Sequence, residues 1–155
     1  MTIVAKMNLP EVRVAVVVSD FNSLVTDRLL TGALNELSKR GVSDGHVTVV
    51  RVPGAMEIPR VAKQLSELPD IDGVVTLGAV VRGSTDHYQF VAGETAHGIA
   101  EAALTGGAPI TFGVLTTADM AAALDRAGGK SGNKGSEAAA ALLDMVSVTR
   151  QIAEL

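Results

Sequence analysis

The segment Arg82-Gly83-Ser84-Thr85-Asp86-His87 holds the residue best suited by type to move a proton. An unperturbed imidazole titrates at about 6.5, so near neutral pH it can both give and take one. A loop histidine that merely opens a helix would occupy the same place, and position alone does not separate the two. His46, ahead of a strand-like run, and His97, inside a helical stretch, read better as structural residues. Arg82 to Thr85 combine a cation, a flexible turn and two hydroxyls. At a helix N-terminus such groups hold anions, although plain capping by Ser84, Thr85 or Asp86 accounts for much of the pattern. Arg126–Lys134 (RAGGKSGNK) carries three cations and no acid in nine residues. It is not a phosphate-binding P-loop. Leu124 stands where that motif needs its first glycine, and the segment joins two helical stretches instead of following a strand. A solvated loop is the alternative there. Glu57 sits where a helix begins, and a carboxylate there favours the helix dipole with or without a ligand.

These residues need elements to position them. Four β-branched runs recur, at 13–19 (RVAVVVS), 47–52 (VTVVRV), 73–80 (GVVTLGAV) and 109–115 (PITFGVL). The first and third are nearly continuous apolar, the mark of strands covered on both faces. Helical periods lie between them. Leu30, Ala33, Leu34 and Leu37 form one stripe, with Asn22 or Ser23 as N-cap and Gly41 as stop. A second helix spans 56–68. Ala92, Ala96, Ile99 and Ala103 mark a third, 117–127 is a short fourth, and Ala139, Leu142, Leu143 and Val146 mark a fifth. This alternation predicts an α/β three-layer sandwich: a parallel four-stranded sheet with helices on both faces. Residues 1–10 read as an extended segment able to pair with a sheet edge, its own or a neighbour's, ahead of a single domain over 1–155.

Composition narrows the function. The 155 residues carry 13 Lys+Arg against 17 Asp+Glu, a net charge of −4 with no basic face for a general nucleic-acid binder. With no cysteine there are no disulfides, thiol nucleophiles or thiolate metal sites. No His/Asp/Glu cluster has metal-ligand spacing, and no serine sits in a nucleophile elbow, so metal catalysis and a serine triad are not expected. No signal-like segment or membrane-length apolar run is visible, and a soluble cytoplasmic protein is expected. Mean hydropathy is +0.32, high for a monomer, which points to buried subunit contacts. The aromatics are few: Phe21, Tyr88, Phe90 and Phe112. They are expected to gather where loops leave the carboxyl ends of the strands, the place where open α/β sheets bind ligands.

Those loops, taken together, resemble the 6,7-dimethyl-8-ribityllumazine synthase family. The resemblance rests on VVSDFN at 17–22, VPGAMEIP at 52–59, LGAVVRGSTDHYQFV at 77–91, FGVLTT at 112–117 and DRAGGKSGNKG at 125–135. Five such motifs in order are highly specific. The resemblance implies a flavodoxin-like fold and a condensation of 5-amino-6-(D-ribitylamino)uracil with 3,4-dihydroxy-2-butanone 4-phosphate, without cofactor or metal. It implies His87 as the acid–base group. Phe21 would stack on the pyrimidine, Asn22 would position the ribityl chain, and the Ala55-Met56-Glu57 turn would bind the same substrate, Glu57 taking ribityl hydroxyls. Ala79, Val80 and Val81 would offer backbone groups to the ring. Ser84, Thr85 and Arg126 would hold the phosphate, with Lys134 near the ribityl or phosphate end. Phe112 would come from an adjacent subunit. Ser84 and Asp86 occupy variable positions of the family, and Tyr88 stands where Phe is also common. The implied minimal assembly is a pentamer. The uninterrupted GGKSGNKG (128–135) goes in the family with sixty-subunit shells, and riboflavin synthase is a candidate partner.

Rival readings of the same fold fare worse. A phosphorelay receiver needs an aspartate ending the third strand, where Gly78-Ala79-Val80 stand. A flavodoxin-like electron carrier needs a phosphate loop after the first strand, and SDFNSLVTD has no glycine. A capsid-forming or flavin/lumazine-binding scaffold of the same fold remains as the alternative to an enzyme.

Overall fold

Five consecutive apolar residues, followed by Ser19, make β1 (Val14–Ser19) a strand that no solvent reaches on either face. It lies at the centre of a four-stranded parallel sheet in the order β2-β1-β3-β4, where β2 is Val47–Val52, β3 is Gly73–Val81 and β4 is Ile110–Thr117. This is the expected three-layer α/β architecture. The computed structural model describes residues 1–9 and 11–155; Pro10, counted with the extended N-terminal segment in the sequence reading, lies outside them.

The strand alternation divides the core into two layers. Val14, Val16, Val18, Val75 and Leu77 pack on one side with α1 (Ser23–Lys39) and α5 (Lys134–Ala153). Ala15, Val17, Val74, Val80 and Val114 pack on the other with α2 (Ile58–Ser66) and α3 (His87–Thr105). β3 is buried on both faces like β1, as its continuous apolar run demands. β2 and β4 are edge strands and half exposed.

Local chemistry moves several boundaries from their expected places. α1 buries Val25, Leu29, Ala33 and Leu37, an i+4 row, while Leu30 and Leu34 flank it half-buried. It ends at Lys39, ahead of Gly41, whose φ of +88° suits a residue without Cβ. The expected helix 56–68 is shorter. Ala55–Glu57 is a single 3-10 turn, and α2 starts at Ile58 with Pro59 in the first turn, where its missing N–H costs nothing. On α3 the buried row is Thr95, Ile99 and Ala102; Ala103 is exposed, so the predicted stripe was displaced by a threonine whose hydroxyl hid its burial from a hydrophobic pattern. β4 runs two residues beyond Leu115 because Thr117 still accepts a bond from the Arg82 N–H, at 2.9 Å. The fourth helix therefore shrinks to α4 (Met120–Asp125), with the Asp119 carboxylate capping Ala122 N–H at 2.7 Å.

The cationic stretch after α4 is not a plain loop. Ala127–Gly129 (β5) and Gly132–Asn133 (β6) form a small antiparallel hairpin, with Gly128 and Gly132 at positive φ. Asn133 anchors it. Its Oδ1 accepts from Gly135 N–H (2.8 Å) and Ser136 N–H (3.1 Å), capping α5, and its Nδ2 donates to Arg28 O of α1 (3.0 Å). α1 and α5 meet so closely here that a Cβ on Gly135 would run into the Leu29 carbonyl. Residues 1–9 add no strand to either sheet edge of this chain. They lie along α5, where Lys6 N–H donates to Ser147 Oγ and Gln151 Nε2 to Val4 O, both at 2.8 Å.

Candidate active site

At the carboxyl ends of β1, β2 and β3 the loops surround a cavity of about 410 Å³, large enough for one heteroaromatic ring and its substituent. Phe21, Asn22, Ala55, Met56, Glu57, Ala79, Val80, Val81, Thr85 and His87 line it, so ten of the expected site residues converge in one place. Gly54, Gly83, Tyr88 and Val91 complete the wall. Val91 is one helical turn beyond His87, and that spacing on α3 was the signal that could have found it.

The β1–α1 turn is held by main-chain bonds that continue the sheet. Asp20 N–H donates to Val52 O (2.8 Å) and Phe21 N–H to Pro53 O (3.0 Å). The Phe21 ring is left 72% exposed, an apolar face with nothing of its own chain to cover it. Asn22 follows in the left-handed region (φ 62°, ψ 45°), which asparagine tolerates better than other side-chain-bearing residues. Its amide does not cap α1, as expected of an N-cap, but donates to Ala79 O at 2.9 Å. Below the turn, Arg51 bridges Asp27 (2.8 Å) and Asp20 (3.0 Å). Its bond to Asp27, then that to Asp20, raises the guanidinium further above its already high value.

Along an extended strand, the N–H and C=O of successive residues turn alternately toward the two neighbours. At this end of β3, Arg82 N–H reaches Thr117 on the β4 side, while Ala79 O meets Asn22 on the β1 side. Odd-numbered residues therefore face β1. Pairing with β1 stops at Val18–Leu77. Val81 thus turns a donor and an acceptor together toward the cavity. Val80 turns its own pair to β4 and offers the cavity only its side chain, and the Ala79 carbonyl is already engaged.

Glu57 accepts the Gly54 N–H on Oε2 at 2.9 Å, so it caps its own turn and keeps Oε1 on an exposed side chain. The structure shows its role at the start of the helix, and Oε1 stays open to a ligand. His87 is the first residue of α3 and is exposed at the cavity mouth, its N–H 3.4 Å from Thr85 Oγ1. Ser84 is exposed and does not line the cavity.

Three expected site residues stand elsewhere. Arg126 and Lys134 line a second cavity, of about 540 Å³, built along edge strand β4 and the hairpin together with Thr116, Ser131 and Glu137. Arg126 Nη1 donates to Ala122 O at 3.0 Å, and Lys134 Nζ pairs with Glu137 at 3.3 Å. Phe112 is the third residue of β4, not near its carboxyl end, and is 38% exposed on the open edge. The aromatics consequently do not all gather at one end of the sheet. One chain holds a ring-sized slot with a histidine at its mouth, and separately a cationic groove with an aromatic on the same edge strand. Among the described residues no group of three or more His, Asp or Glu side chains is placed to hold a metal ion, and no helix is long and apolar enough to cross a membrane.

Comparison with known proteins gives one answer. The profile of the family described as 6,7-dimethyl-8-ribityllumazine synthase matches residues 11–150. A protein of that name from Levilactobacillus brevis is 57% identical over 144 residues, covering 93% of this chain and 92% of the relative. One from Pediococcus pentosaceus is 50% identical over 145 residues, covering 94% and 93%. One from Nitratidesulfovibrio vulgaris is 44% identical over 151 residues, covering 97% of each.

Proposed function

The chain belongs to the 6,7-dimethyl-8-ribityllumazine synthase family, transferase enzymes of riboflavin biosynthesis, and from that premise we propose that it condenses 5-amino-6-(D-ribitylamino)uracil with 3,4-dihydroxy-2-butanone 4-phosphate. The observation that carries this reading is the slot itself. The exposed Phe21 ring lines the same cavity as Val81, whose N–H and C=O turn outward from the sheet, together with the exposed Glu57 and His87. A uracil offers adjacent donors and acceptors on its edge and a flat face. Val81 matches the edge, Phe21 matches the face, and Glu57 Oε1 accepts from ribityl hydroxyls.

The reaction then needs orientation and proton transfer. The uracil amine attacks the butanone carbonyl, and loss of water gives an imine. A proton leaves C3 as the phosphate departs from C4 by elimination, and the enol so formed takes a proton at C4 to become a second carbonyl at C3. The ribityl-bearing nitrogen closes the ring on the second carbonyl with loss of a second water. His87, exposed where the two substrates would meet, carries protons between these steps, a task worth ~10²–10⁴-fold. Holding both substrates in register supplies the rest.

Thr85 and Ser84 take the phosphate from one side. Arg126 and Lys134 supply the cations, and because their groove is separate within a chain, a neighbouring subunit presents them, with its Phe112 as the second face of the pyrimidine slot. A head-to-tail contact of that kind closes into a ring, here a pentamer. The uninterrupted hairpin before α5 favours a further sixty-subunit shell; light scattering giving a mass near five chains would exclude it. We place the enzyme in the cytoplasm as one domain, working ahead of riboflavin synthase. Incubation with both substrates tests the reaction: fluorescent lumazine and one phosphate per turnover are expected, and intact assembled protein yielding neither would leave a binding scaffold as the better reading.

A further inference from the structure

Arg82 stands at the end of β3 yet does not line the cavity. Its guanidinium carbon lies 5.0 Å from the centre of the Tyr88 ring, inside the ~6 Å over which a cation is drawn to an aromatic face. Its own N–H is fixed to Thr117 O, so the side chain reaches out from an anchored backbone. Tyr88, half-buried in the first turn of α3, forms part of the cavity wall beside His87. Residues 82 and 88 therefore bracket the segment 83–87, all of it exposed, which brings Thr85 and His87 to the cavity. Little inside that segment holds it. The Thr85 Oγ1 to His87 N–H contact is 3.4 Å, beyond the ordinary hydrogen-bond range, and the next bond, Gln89 N–H to Asp86 O at 3.1 Å, belongs to the first turn of α3.

We propose that Arg82 is a positioning residue for this reaction: stacked on Tyr88, it clasps the two ends of the β3–α3 turn and so fixes where Thr85 and His87 stand. The catalytic consequence rests on the reaction proposed above; the clasp does not. A clasp can shift the turn between ordered and open forms only by its own interaction free energy. For an exposed cation–π contact that is a factor of roughly two to five. Arg82 and Tyr88 act as one unit, so losing either should equal losing both.

The test is amide exchange over residues 83–88, read by mass spectrometry on the assembled protein, for Arg82→Met, Tyr88→Leu, the double variant and Tyr88→Phe, beside kcat/KM for Arg82→Met. Arg82→Met keeps the stem and removes the charge, and Tyr88→Phe keeps the ring. The two disruptive singles and the double should each speed exchange by the same roughly two- to five-fold, while Tyr88→Phe keeps the wild-type exchange rate; kcat/KM is read in Arg82→Met alone, because Tyr88 also walls the cavity, and should fall by the same factor. Unchanged exchange in Arg82→Met overturns the proposal, as do exchange effects that multiply in the double variant. A loss of kcat/KM near a hundredfold does too, since Arg82 would then touch the reacting groups itself. If the wild type forms no lumazine, the reaction falls and the exchange measurements still decide the clasp.

Discussion

Asn22 joins two structural demands in one side chain, and substitutions separate them. Its backbone is left-handed and its amide holds Ala79 O at 2.9 Å. Asn22→Gly keeps the conformation and loses the bond, at about 0.5–1.5 kcal/mol, plus about 0.4–1 kcal/mol for the freer unfolded chain. Asn22→Ala loses the same bond and leaves a Cβ in the left-handed region without the amide that makes asparagine tolerate it, a strain of about 1–2 kcal/mol that Asn22→Gly escapes. Subtracting the glycine entropy from that strain leaves Ala less stable than Gly by about 1 kcal/mol. Interior helix propensity would give the opposite order, but residue 22 is the N-cap, outside the helical run. Urea unfolding at one fixed chain concentration measures the gap, and binding of a pyrimidine substrate analogue follows whether the Phe21 ring keeps its place. Asn22→Ala equal to or more stable than Asn22→Gly would refute the account of this turn.

Other expectations concern the two halves of the site and the packing behind them. His87→Ala should slow lumazine formation by roughly 10²-fold, the lower end for a positioned proton carrier, and leave pyrimidine affinity in place; unchanged turnover removes His87 from the role. Arg126→Ala should raise KM for the phosphate substrate alone, and an equal loss for both substrates contradicts its assignment. His87→Ala and Arg126→Ala chains, unfolded and reassembled together and assayed with the phosphate substrate well below the raised KM, should show about one quarter of wild-type activity, because random head-to-tail neighbours restore about one intact site in four. No recovery means that both halves act within one chain. Gly135→Ala should lower the melting temperature by about 5 °C: a clash with the Leu29 carbonyl outweighs the ~1 kcal/mol of helix propensity gained. A rise would show that α1 and α5 part easily.

The sheet was legible because strands covered on both faces must be nearly continuous apolar runs, and β1 and β3 are, apart from Ser19 and Thr76. The slot was legible for a related reason: its residues sit in three short loops whose places follow once the strands are known. Phe112 shows the limit, since its neighbourhood depends on where β4 starts and on which edge it forms. The hairpin after α4 escaped because AGG and GN carry no hydrophobic period; its shape comes from positive-φ glycines and from Asn133 reaching across to α1. Thr95 was missed for its hydroxyl. The separation of Arg126 from His87 is written in no local pattern, only in the packing of α4 and α5 against the far layer of the core.

A hydrogen-bonding pair that belongs to the main chain of Val81 has a consequence for how this protein can change over generations. Genetic drift at position 81 can replace one side chain by another and leave the donor and acceptor where they are; only proline, which has no N–H, deletes half of the pair. The polar edge of the ring would thus be recognised by something mutation scarcely touches, while Phe21, Met56 and Tyr88 remain free to vary the fit around it. Laboratory evolution toward other heterocycles should accordingly move through those three walls, and a demand for a different edge pattern should require a new path for the strand itself.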